Sequence, residues 1–122
     1  MGVGRHAIAD IYDCCKDKID DIDYIKKIIF DSAECANLHI VDSKFHKFEP
    51  IGISGVLILS ESHLTVHTWP EYNYLAVDVF TCGNRIDPKK ACEIIAKKFQ
   101  SKKYEIKEIE RGKNCEVSRI RD

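Results

Sequence analysis

Three short runs rich in β-branched and aromatic residues, 56–59, 64–69 and 74–81, follow one another with short polar breaks between them. Such breaks leave no room for a crossover helix, so successive strands must turn back on one another. The central third of the chain therefore reads as an antiparallel meander.

Around it, residues 5–12 are apolar at both alternating sets of positions, with His6, Ile8 and Tyr12 interleaved with Ala7, Ala9 and Ile11, which predicts a first strand buried on both faces. Asp20, Asp21 and Asp23 open a segment in which Ile22, Ile25, Ile29, Ala33 and Ala36 keep helical spacing, with the acids at the positive helix end. That helix is expected to end near Asn37. Residues 38–48 alternate in part and lead into Pro50 and Gly52, a strand and then a turn. Asp87 before Pro88 offers an N-cap and a first-turn proline, and Ala91, Ile94, Ile95, Lys98 and Phe99 continue one helical face to about Ser101. A last strand is expected over 104–109, whereas 111–122 carries no period. Two helices and about six short strands predict an α+β fold, a two-layer sandwich of a mainly antiparallel sheet with both helices on one face. The other face then needs a cover, and a second copy of the chain, the sheet faces packing together in a dimer, is the simplest one.

The 122 residues suit a single domain, 1–122, and 44% apolar residues can build its core without disulfides. Cys14, Cys15, Cys35, Cys82, Cys92 and Cys115 form no CxxC pair and no zinc spacing, and no apolar leader precedes them, which predicts a reducing, cytoplasmic setting. No apolar run approaches the roughly 20 residues of a membrane-spanning helix. Nineteen basic residues balance twenty acidic ones without a stripe of one sign, so neither membrane nor nucleic acid is an expected partner.

Reactive side chains crowd into residues 60–83. His63 and His67 have the four-residue spacing of a helical zinc pair, but Leu64, Thr65 and Val66 favour a strand, in which four residues span about 13 Å. No glutamate follows the first histidine, and no metal is expected. A Ser-His-acid hydrolase is disfavoured too, because the chain has no GxSxG elbow. Taken singly, each of these residues has a plain structural explanation: serines cap turns and lone cysteines pack as small hydrophobes.

Taken together they do not. The segments SESHLTVHTWPEYNY (60–74) and DVFTCG (78–83) closely resemble the processing and catalytic motifs of the prokaryotic S-adenosylmethionine decarboxylases, a family of pyruvoyl-dependent proenzymes. GRHAIADIYDC (4–14) and FHKFEPIGISG (45–55) extend the resemblance over roughly 4–112.

The resemblance implies that Ser62 becomes a pyruvoyl cofactor, with no pyridoxal phosphate and no metal. Ser62 Oγ would attack the Glu61 carbonyl to give an ester, and a base would remove the serine Cα proton. The resulting dehydroalanine would hydrolyse, leaving a β chain 1–61 and a pyruvoyl-blocked α chain 62–122. A decarboxylase needs such a group because side chains offer no strong electron sink. By the same resemblance His67 is the base of processing, Ser54 assists it, the substrate amine forms a Schiff base with the ketone, and Cys82 returns a proton to Cα. Ser62 and His67 differ by an odd number and would face apart on one straight strand, so a turn or bulge is expected near His63. Phe48 and Trp69 are candidate aromatic faces for the sulfonium and adenine of the substrate S-adenosylmethionine, with Glu71 as a carboxylate partner. Family members bind substrate at a dimer interface, so Phe48 and Ser62 of one site can come from different chains. Two alternatives stand beside this reading: an arginine decarboxylase sharing the processing motif, and a dimer that binds a small ligand without chemistry.

Overall fold

The computed structural model describes residues 2–115. In chain order the elements are β1 (Gly4–Tyr12), α1 (Lys16–Ile19), α2 (Ile22–Cys35), β2 (Ile40–Lys47), β3 (Ile53–Leu59), β4 (Ser62–Trp69), a 3₁₀ turn at Pro70–Tyr72, β5 (Tyr74–Cys82), α3 (Pro88–Lys98) and β6 (Lys103–Arg111). The six strands form one sheet in the order β2-β3-β4-β5-β1-β6, and every neighbouring pair is antiparallel. This is the expected α+β architecture, with the meander β3-β4-β5 at its centre.

Local chemistry sets the boundaries. The Asp21 carboxylate caps α2 by accepting from the amides of Asp23 and Tyr24, and Asp87 caps α3 through the amide of Lys89. Asn37, at φ +60°, ends the α2 segment in the left-handed conformation asparagine tolerates. Alternation then sorts the strands: Ile53, Leu57, Leu64, Val66, Leu75, Val79, Ala7, Ala9 and Ile11 are fully buried with Ile25 and Ile29 of α2 and Ile95 of α3. At β2, the Phe45 ring lies where a Cβ on Gly55 would collide with it, so glycine permits the approach.

Three expectations need correction. β1 is buried on one face only, since Ile8 is 41% exposed while Ala7 and Ala9 are sealed. The apolar residues on its second face are not covered by helix; they belong to an open sheet face. The helix α1 was not anticipated, because four residues show no period. β2 is shorter than predicted and is irregular between Ile40 and Asp42. The aperiodic tail begins after β6, and its residues 116–122 lie outside the described part.

The open face carries Ile8, Ile58, Trp69 and Ile109, each between 39% and 49% exposed, interspersed with His6, His63, His67 and Asp78. No helix among the described residues is long and apolar enough to cross a membrane.

Candidate active site

β3 and β4 are joined by only Ser60 and Glu61, with Leu59 paired to Ser62. Two-residue hairpin loops favour turns with left-handed residues, usually asparagine, aspartate or glycine, and this loop has none of them. The positive φ falls instead on Ser62, at +152°, a region in which a non-glycine residue is strained by about 1–3 kcal/mol. The bond between Glu61 and Ser62 therefore lies at a distorted corner.

That corner is gripped from both sides. The Glu61 carbonyl accepts from the Cys82 amide at 2.9 Å, and the Ser60 amide donates to the His39 carbonyl at 2.9 Å. The Glu61 carboxylate is 5% exposed and accepts from Arg85 Nη2 at 2.6 Å, the His39 amide at 3.1 Å and His39 Nδ1 at 3.1 Å. A carboxylate only accepts, so His39 carries its proton on Nδ1. Burial pushes the Glu61 carboxyl up, but the donors on His39 and Arg85 outweigh it and hold the group below its ordinary range.

Cys82, half-buried at the end of β5, thus stands beside Glu61 and Ser62. Ser54 and His67 sit opposite one another on β3 and β4, with Ser54 Oγ 2.8 Å from His67 Nδ1. They are not beside Ser62. His67 lies five residues along the strand, about 17 Å at 3.3–3.4 Å per residue. Neither the turn nor the bulge expected near His63 is present, because β4 runs unbroken from Ser62 to Trp69 and pairs without a register shift with β3 and with β5. Parity holds, and His67 shares the open face with His63, Thr65 and Trp69, whereas Ser62 alternates with them.

The three candidate substrate-binding residues lie further still from Ser62. Trp69 is seven residues away, about 23 Å by the same rise, with its ring 6.2 Å from His67 and 5.5 Å from Tyr74. Phe48 follows β2 and stacks edge-on with His46 at 4.6 Å, and Glu71 is exposed in the 3₁₀ turn. One chain therefore gathers Glu61, Ser62 and Cys82 at one end of the sheet, and Ser54, His67, Trp69, Phe48 and Glu71 toward the other.

A further cluster escaped the sequence reading. Asp78 Oδ2 accepts from His6 Nε2 at 2.6 Å and His63 Nε2 at 3.2 Å, while Thr65 donates its hydroxyl to Oδ1. Among the described residues, His6, His63 and Asp78 place three donor atoms within 4.8 Å of one another, a spacing that could hold a metal ion. Arg111 decides against that reading: its guanidinium donates to His6 Nδ1 at 3.1 Å, which leaves the proton on Nε2, the atom a metal would need. The cluster is satisfied as a hydrogen-bond network. The only sequence signal for it was strand alternation, since His6 and Asp78 are 72 residues apart.

The S-adenosylmethionine decarboxylase family model matches residues 5–112. The chain belongs to the S-adenosylmethionine decarboxylase family. It is 53% identical over 110 residues to the S-adenosylmethionine decarboxylase proenzyme of Clostridium kluyveri, covering 90% of this chain and 87% of that one. The proenzyme of Fervidobacterium nodosum is 50% identical over 115 residues, covering 94% and 84%. The crystal structure of the adenosylmethionine decarboxylase from Aquifex aeolicus superposes with a TM-score of 0.85 at 35% identity, covering 96% of this chain and 97% of that one. The family match spans all four motif segments except Gly4.

Proposed function

We propose that this family member is the proenzyme of a pyruvoyl-dependent S-adenosylmethionine decarboxylase that cuts itself between Glu61 and Ser62 and supplies decarboxylated S-adenosylmethionine for spermidine synthesis. The observation that carries the reading is the strained Ser62 directly after a carbonyl pinned by the Cys82 amide. Ser62 Oγ adds to the Glu61 carbonyl carbon, the C–O bond forms, the C–N bond breaks, and the hydroxyl proton ends on the freed nitrogen. The Cys82 amide already points at the oxygen on which negative charge develops. Opening the peptide also releases the distortion at Ser62, so strain favours the shift.

His67 then removes the Ser62 Cα proton, the ester C–O bond at Ser62 Cβ breaks to release the main-chain carboxylate of Glu61 as the new end of fragment 1–61, and hydrolysis of the dehydroalanine by water releases ammonia. For this task His67 Nε2 must be free, so Nδ1 carries the proton and donates to Ser54 Oγ, the contact found at 2.8 Å. The products are the fragments 1–61 and 62–122.

The pyruvoyl group, once formed, supplies the electron sink that side chains lack. Its surroundings suit an added oxygen: Thr81, the residue paired with Ser62, has a fully buried hydroxyl without a hydrogen-bond partner among the described residues. Such an orphan is rare in a native fold. Cys82, at the same strand end, returns a proton to the substrate Cα after carbon dioxide leaves.

In one chain His67 is about 17 Å from Ser62. A second copy, its open sheet face laid against the first in opposite direction, brings Ser54 and His67 of one chain to Ser62 of the other and covers Ile8, Ile58 and Ile109. Phe48, Trp69 and Glu71 then come to the same site from that second chain, where aromatic faces and a carboxylate suit a sulfonium cation.

The arginine alternative is not favoured, since the relatives carry the name S-adenosylmethionine decarboxylase. Release of labelled carbon dioxide from carboxyl-labelled S-adenosylmethionine and from labelled arginine tests the substrate. Release from the first alone supports the proposal, and release from arginine alone overturns it.

A further inference from the structure

An acyl shift uses the carbonyl of the residue before the serine, and any side chain there could provide one. Residue 61 is nevertheless a glutamate whose carboxylate is buried at a hairpin tip, where an exposed one would be cheap. Burying a carboxylate is costly unless it is paired and hydrogen-bonded. Here it is fully supplied, by Arg85 and twice by His39.

The donors come from two segments, and each segment grips the turn at a second point. The His39 carbonyl also takes the Ser60 amide. The loop after β5 offers the Arg85 guanidinium to the carboxylate, and the last residue of β5, three positions earlier, offers the Cys82 amide to the carbonyl of the same residue. The positive φ at Ser62 could relax by rotation of the peptide between Glu61 and Ser62. That rotation would swing the Glu61 carbonyl away from the Cys82 amide. A side chain tethered to Arg85 and His39 resists it.

From this arrangement we infer that Arg85 and His39 are positioning residues for self-cleavage: they clamp the Glu61 side chain so that the scissile carbonyl stays presented and the strain at Ser62 stays in place. This rests on the self-processing reading above. Neither residue touches the reacting atoms.

The test is the rate at which freshly made precursor splits, followed on denaturing gels. Arg85→Met should slow cleavage about ten- to a hundredfold, the usual effect of displacing a reacting group by about an ångström. Arg85→Lys should recover most of that rate, because the guanidinium makes a single contact that an ammonium can replace. His39→Ala keeps its backbone donor and should slow cleavage less than Arg85→Met. Once Glu61→Gln has discharged the clamp, adding Arg85→Met should cost little more, as expected of two residues acting through one contact.

Cleavage of Arg85→Met at the wild-type rate overturns the inference, and so does an Arg85→Lys variant no faster than Arg85→Met. Should Arg85→Met fail to fold, as read by the melting of the same change in a Ser62→Ala chain, the Arg85→Lys and Glu61→Gln rates decide. If Ser62→Ala itself is still cut, the self-processing reading falls first. An intact Ser62→Ala chain beside a normally cleaved Arg85→Met chain sinks the clamp alone.

Discussion

Replacing Ser62 by glycine and by alanine separates backbone strain from chemistry. Both variants lack the attacking oxygen and stay uncut in this account, so their stabilities can be compared as intact chains. Alanine keeps the Cβ that is strained at φ +152°, and glycine relieves about 1–3 kcal/mol of it. Glycine also loses more chain entropy on folding, about 0.5–1 kcal/mol. Subtracting the two ranges leaves Ser62→Gly the more stable by about 1 kcal/mol at their centres, within about 0–2.5 kcal/mol, or roughly 3–6 °C in melting temperature at the centre for a chain of this size. At an ordinary strand position the sign reverses, so Ala76→Gly on β5 should lower the melting temperature. Melting should be followed at equal protein concentration, because the proposed self-association would stabilise the folded state by mass action. A Ser62→Ala protein as stable as Ser62→Gly, or more so, would refute the strain argument.

His67→Ala should stop at the ester, since Ser62 alone starts the shift and only the elimination needs a base; hydroxylamine should then split the chain, and an intact, hydroxylamine-resistant product would remove His67 from processing. Cys82→Ala should still be cut but should misprotonate substrate, so that fragment 62–122 acquires an amino-terminal alanine faster than in wild type; equal alanine by mass spectrometry counts against Cys82. Burial pushes the thiols of Cys14 and Cys92 up to about 11 and about 12, so at pH 8 both remain protonated and unreactive until the chain unfolds. Exposed Cys15, Cys35 and Cys115 should label at once, and early labelling of Cys92 would show that the core packing is wrong.

The meander and the two long helices were legible because their information is local. Period-two runs broken by short polar segments, and a proline behind a capping aspartate, depend on neighbours in sequence. Sheet order is not local: β1 lies between β5 and β6, pairings that join residues from 64 (Ile11 with Leu75) to 107 (Gly4 with Arg111) positions apart. The same distinction governs the site. The proposed roles of Glu61, Ser62 and Cys82 rest on contiguous motifs, and the fold brings Ser54 and His67 into contact across β3 and β4. Arg85 and His39 carry no motif, and the 24 and 22 residues separating them from Glu61 are closed only by the fold. The turn or bulge near His63 was a wrong inference from a right premise. Ser62 and His67 do alternate, and the unbroken ladders on both sides of β4 leave them apart in one chain.

Mass spectrometry of purified protein tests the central claim most directly. The account predicts two chains, 1–61 and 62–122, the second lighter by one ammonia than a serine-started fragment and blocked to Edman degradation, with the Ser62→Ala protein remaining a single chain. An intact 122-residue wild-type chain that never splits, or a cut at any bond other than Glu61–Ser62, would contradict it.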